Sequence, residues 1–119
     1  MKKSKTHLMT LYVSFLLGML LSFSSCEKID VPKGTPKCIK QRIKEEVKNN
    51  SCLEKVYDYD YNGQKVYFFV HYNCPDAADG LLDEHCNRIC SFGGISGQGS
   101  GSCPNFYQER KNEKLIWQK

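Results

Sequence analysis

Apolar residues recur four positions apart at Ile39, Ile43 and Val47, between Thr35-Pro36 and Asn49-Asn50-Ser51. That spacing predicts one helix with a narrow apolar stripe, capped by Thr35, with Pro36 in its first position and the Asn-Asn-Ser run ending it. The remaining positions carry Lys40, Arg42, Lys44, Glu45, Glu46 and Lys48, a solvated face on which Arg42 and Glu46 are spaced to pair. From Val56 to Tyr72 the period changes to two, and Asn62-Gly63 divides two β-rich runs as a type I′ hairpin turn requires. This register sets Tyr61 opposite Gln64, Asp60 opposite Lys65, Tyr59 opposite Val66 and Tyr57 opposite Phe68. One face then holds Tyr57, Tyr59, Val66, Phe68 and Val70, and is expected to lie against the helix. The other shows Val56, Asp58, Asp60, Lys65, Tyr67, Phe69 and His71, more aromatic than a bare solvent face, so the C-terminal strand or the loops are expected to cover part of it.

Downstream, Leu81-Leu82 and Arg88-Ile89-Cys90 read as short strands around a turn at Glu84 to Asn87, Pro104 to Arg110 as a helical turn or two, and Leu115-Ile116-Trp117 as a closing strand. Five of the nine residues from Gly93 to Gly101 are glycine, which excludes regular structure there. The expected fold is α+β: one N-terminal helix on a small, mostly antiparallel sheet of three or four strands.

The N-terminus follows a different logic. Lys2, Lys3 and Lys5 precede an apolar run from Leu11 to Leu21 and then Ser22-Phe23-Ser24-Ser25-Cys26, the three-part layout of an export signal. The run falls short of the ~20 residues of a membrane-spanning helix. Phe23-Ser24-Ser25-Cys26 resembles a bacterial lipobox, with Phe23 where Leu is more usual, and the resemblance implies that Cys26 carries diacylglycerol after cleavage. Ordinary cleavage, leaving Cys26 a thiol, is the alternative. Residues 1–25 are thus expected to be a lipoprotein signal peptide, 26–35 a lipid-anchored tether, and 36–119 one domain.

Cysteine number fits this division. Of the seven, six remain after Cys26: Cys38, Cys52, Cys74, Cys86, Cys90 and Cys103. An even set in a short exported domain implies three disulfides, since so small a core is marginal without them and the compartment is oxidising. The 15 possible pairings are not separated by the sequence. Cys52 and Cys74 flank the hairpin and could bridge its open end if the register breaks there; Cys90 and Cys103 bracket the glycine run and could pin it.

Charge and motifs narrow the chemistry. The formal charge is +4, but three of the 17 basic residues and none of the 13 acidic ones lie in the signal, so the exported part carries only +1. Nucleic-acid binding loses its support. The glycine run lacks the Gly-Lys-Ser/Thr of a phosphate-binding loop. His71, Cys74, His85, Cys86 and Cys90 have zinc-like spacing, but thiols outside the cell form disulfides; Asp76, Asp79, Asp83 and Glu84 lack the calcium-loop pattern. No metal, cofactor or catalytic site is expected. Asp58, Asp60 and Lys65 suggest a cross-strand ion pair. For partner contact, Tyr67 and Phe69 on the second hairpin face and Ile95 and Ser96 in the glycine run are the candidates.

The Val56-Tyr-Asp-Tyr-Asp-Tyr-Asn-Gly-Gln-Lys-Val-Tyr-Phe-Phe hairpin, Cys74-Pro-Asp, Gly93-Gly94-Ile95-Ser96-Gly97-Gln98-Gly99, Cys103-Pro-Asn-Phe and Lys114-Leu-Ile-Trp together resemble a family of small Bacteroidota-type lipoproteins, described only as a domain of unknown function. The resemblance covers about residues 36–118. It implies a location, the bacterial cell envelope and by expectation its outer membrane, but no activity; at His85-Cys86-Asn87 it leads one to expect a glycine turn. The functional expectation is a non-enzymatic binding module held on the membrane by its lipid, with an envelope or host protein as partner. Inhibition of an extracellular hydrolase and a structural envelope role are the alternatives.

Overall fold

The computed structural model describes residues 28–93, 100–101 and 103–119. Helix α1 spans Lys37–Lys48. Pro36 is its N-cap rather than its first residue, its carbonyl accepting from the Lys40 N–H at 3.1 Å. Thr35 does not cap the helix. Its hydroxyl and N–H both turn back to Pro32 O, closing a tight turn over Gly34 at φ +95°. At the other end Asn50 is left-handed (φ 50°), the Asn50 N–H bonds Val47 O and the Ser51 N–H bonds Glu46 O, the Schellman arrangement that satisfies the last carbonyls.

Strands β1 (Leu53–Tyr61) and β2 (Gln64–His71) form the expected hairpin in the expected register, with Asn62 and Gly63 both at positive φ as a type I′ turn needs. The register breaks between Leu53 and Lys55, one extra residue in β1. That break brings Cys52 and Cys74 within 5.9 Å between Cα atoms, where they form a disulfide. Strands β3 (Ala78–Asp83), β4 (Arg88–Gly93), β5 (Ser100–Gly101) and β6 (Lys111–Gln118) complete an antiparallel sheet of order β5-β4-β3-β2-β1-β6. The sheet therefore has six strands, not three or four. The addition includes the two-residue β5, and the closing strand β6 is longer than Leu115–Trp117 because the charged residues from Lys111 also pair along the β1 edge.

Both faces of the sheet are covered, and the helix takes the face opposite to the one expected. Ile39 and Ile43 pack with Leu53, Val56, Tyr67, Phe69, Leu82 and Ile116. Tyr59, Tyr61, Val66, Phe68 and Leu81 on the other face are closed by the segment from Cys103, whose single helical turn α2 (Phe106–Glu109) inserts Phe106 among the rings, edge-on to Tyr59 and Tyr61. Aromatic residues on both faces made the two indistinguishable by hydrophobicity. β6 decides between them by adding the aliphatic Ile116 to the Val56 face, whereas β3 gives one leucine to each face, Leu82 to this one and Leu81 to the other.

Two further bridges fasten the covers. Cys38 of α1 joins Cys86 in the β3–β4 turn, and Cys90 of β4 joins Cys103 ahead of α2. Cys86 holds φ +63°, the conformation for which a glycine was expected. The presumed tether also departs from expectation. Ile29 is buried to 6% exposure in the helix-side core, with Val31 packed on it, so the described part of that segment is a component of the domain.

Candidate functional site

The helix-covered face is apolar only near the open end of the hairpin. Toward the turn, the same alternation that buries Val56 places Asp58 and Asp60 on it, and β2 sets Lys65 opposite Asp60. Lys65 Nζ lies 2.8 Å from Asp60 Oδ1 and 3.7 Å from Asp58 Oδ1, so one ammonium bridges two carboxylates. On the other side of β1, Lys114 pairs in register with Asp58, and the register then shifts by a residue before Lys111. Asn112 sits in that shift at φ 54° and donates its side-chain amide to Asp60 Oδ2 at 2.6 Å. The turn Pro32–Thr35 roofs these groups. Together they line a groove of about 460 Å³, into which Tyr67 also reaches.

The electrostatics follow from these contacts. The Asn112 hydrogen bond, then that of Lys65, holds the Asp60 carboxyl below its ordinary range, and Asp60 in turn raises the Lys65 ammonium. Burial, then the Asp58 charge, raises the Tyr67 phenol, which stays neutral and able to donate. Lys65 is engaged by Asp60, whereas Lys33 and Lys114 form no ion pair among the described residues. The groove thus offers two free cations above a floor of satisfied polar groups, a surface able to hold acidic groups of a ligand.

A second polar cluster lies at the far end of the face. His71 Nε2 is 3.1 Å from Glu46 Oε2 on α1, the His71 backbone N–H donates to Asp79 Oδ1 at 2.7 Å, and Nδ1 lies 3.6 Å from the same oxygen. At that length Nδ1 is held by charge attraction and has no hydrogen-bond partner among the described residues. Asp79 chiefly, with Glu46, raises the imidazole pKa against the opposing effect of burial. Glu46 is shifted down, because bonds to His71 and Ser51 and the charges of His71 and Arg42 outweigh its burial. This triad ties α1 to β2 and β3.

Other residues singled out by sequence serve the scaffold. Tyr67 and Phe69 are 5% and 2% exposed, inside the helix-side core, so Phe69 offers no surface to a partner and Tyr67 only its edge in the groove. Cys26, Ile95 and Ser96 lie outside the described residues. The cysteines of the zinc-like set, Cys74, Cys86 and Cys90, are in three different disulfides. Asp83 accepts from the N–H groups of His85 and Asn87 and from the Asn87 side chain, shaping the β3–β4 turn. Lys33, Asn112 and Lys114 went unrecognised, and the signal that could have found them is the acidic pair Asp58 and Asp60 interrupting an otherwise apolar face. Among the described residues no helix is long and apolar enough to cross a membrane.

Fold and groove define a small disulfide-stapled α+β domain. The chain belongs to the family described as a domain of unknown function, DUF6970, whose model matches residues 41–119. Comparison with curated proteins and with solved structures gave no significant match.

Proposed function

We propose that the chain is an exported cell-envelope lipoprotein whose domain is a non-enzymatic binding module. The observation that carries this reading is the pairing of all six downstream cysteines, Cys38–Cys86, Cys52–Cys74 and Cys90–Cys103. Three disulfides in a chain this short suit an oxidising compartment, and their six cysteines account for every one downstream of Cys26, which ends the signal-like segment and is assigned to lipid. Two acyl chains would hold the domain on the membrane where one would not. The partner is an envelope or host protein that offers an acidic segment to the groove between Lys33 and Lys114. Intact mass of the membrane-extracted protein tests the first part: cleavage before Cys26, added acyl mass and a deficit of six hydrogens are expected, and an uncleaved or unacylated chain would refute it. Crosslinking in intact cells tests the second. Partner crosslinks are expected at Lys33 and Lys114, and their confinement to the α2 side would place the binding face elsewhere.

The hydrolase-inhibitor reading has one supporting observation. The Cys90–Cys103 bridge closes a short covalent loop around the glycine run, and such closure lowers the entropy lost when a loop is bound. A panel of purified extracellular hydrolases incubated with the protein discriminates between the two readings.

A further inference from the structure

The segment before α1 enters the core only three residues after Cys26, at Ile29. A chain step spans at most ~3.6 Å, so buried Ile29 lies within roughly 11 Å of the Cys26 backbone. A lipid-bearing residue sits at the bilayer surface, so a link this short brings the domain down with it and fixes which side faces the membrane. Beside Ile29 runs a second groove, of about 390 Å³, bordered by Lys28, Val47 at the end of α1, and Leu115 and Trp117 of β6. Leu115 is 43% exposed and Trp117 is half-buried. Exposed aliphatic surface, an indole and a flanking lysine are what a protein presents to the headgroup layer, where the indole spans the apolar and wet zones and lysine meets anionic lipid.

We propose that this β6–α1 edge is the membrane-facing side of the domain, with Trp117 and Leu115 resting in the headgroup layer of a phospholipid bilayer. The inference rests on the lipidation of Cys26, and its occupant is the bilayer itself rather than a protein.

Trp117 is the only tryptophan in the chain, so its fluorescence reports this edge alone. The full protein, extracted from membranes, is reconstituted into vesicles of phosphatidylethanolamine and phosphatidylglycerol containing phosphatidylcholine brominated on its acyl chains near the glycerol. Progressive loss of Trp117 emission with rising bromolipid is expected. A Trp117→Phe, Tyr107→Trp variant moves the reporter to Tyr107, 51% exposed beside Phe106 on the opposite face, and should show no loss. Unquenched Trp117 in a protein whose intact mass carries acyl chains would overturn the inference alone, and a protein partner would then be the candidate for this edge. Equal quenching at both positions would also overturn it, by showing no fixed orientation. A mass without acyl chains would instead remove the lipoprotein reading beneath it.

Discussion

His71 sits between two carboxylates from different elements, so its proton has consequences for the whole helix–sheet contact. Its folded pKa is raised from the ordinary 6.5, so it contributes stability that is fully present below 6.5 and lost as pH rises through the raised value. Glu46 is lowered from 4.5, so its contribution is present above 4.5 and lost as pH falls through the depressed value. The two together predict a urea midpoint that is highest between these ordinary values and declines on both sides. His71→Gln should cost about 1–3 kcal/mol in that window, since Glu46 and Asp79 lose a charged partner, and should flatten the alkaline decline; an unchanged alkaline limb would place the titrating group elsewhere. On the opposite face Phe106 has the corresponding weight in packing. It is fully buried and touches the rings of Tyr59, Tyr61, Phe68 and Phe92, with the Arg110 guanidinium 5.6 Å above it. Phe106→Ala is expected to lower the unfolding free energy by about 3–5 kcal/mol in urea titration, and Phe106→Leu by clearly less, because a single turn of helix cannot collapse into the space a ring leaves.

Elements were legible in the sequence where local chemistry dictated them and obscure where it did not. The hairpin could be read residue by residue because Asn62-Gly63 fixes the turn and a period of two fixes every pair that follows. Which face meets the helix could not be read, because Tyr57 and Tyr59 on one side and Tyr67 and Phe69 on the other are equally apolar, and only Ile116 of β6 breaks the tie. The first half of β6, Lys111-Asn112-Glu113-Lys114, shows no apolar alternation from which a strand could be read, and there is a physical reason: an edge strand with exposed charges is protected from pairing with another chain. Disulfide partners other than Cys52–Cys74 and Cys90–Cys103 depended on tertiary approach. Cys38 and Cys86 are 48 residues apart and meet only because the helix crosses the β3–β4 turn. Chain-entropy scaling with loop length makes that bridge worth about 4 kcal/mol, against about 3 kcal/mol for Cys90–Cys103 with its separation of 13. Replacing Cys38 and Cys86 by Ser should therefore lower the unfolding free energy more than the same change at Cys90 and Cys103, and non-reducing peptide mapping should return three linked pairs without scrambling.

At the scale of the whole molecule, the candidate site is a joint product of segments that no local pattern connects. Asp58, Asp60 and Lys65 were visible as a polar cluster on one strand face, but Lys33 arrives from the chain ahead of α1 and Asn112 and Lys114 from the last strand, so the groove exists only once both have docked on β1. The division of labour among its charges makes a specific expectation. Lys65 is spent on Asp60, and substituting it would disturb the sheet surface itself. Lys33 and Lys114 are exposed and unpaired among the described residues, so reversing them alters the field of the groove while leaving its scaffold intact. Lys33→Glu with Lys114→Glu should lower the unfolding free energy by about 1–2 kcal/mol, chiefly because the second change sets a like charge opposite Asp58 on β1. The same variant should weaken binding of an acidic partner by slowing its association, with the salt dependence of the association rate falling as well, because exposed charges steer encounter through a field that salt screens. Surface plasmon resonance across ionic strength reads both quantities. An association rate that is insensitive to the double reversal would mean that the acidic segment does not enter this groove, and the mixed-charge floor would then be a device of folding alone.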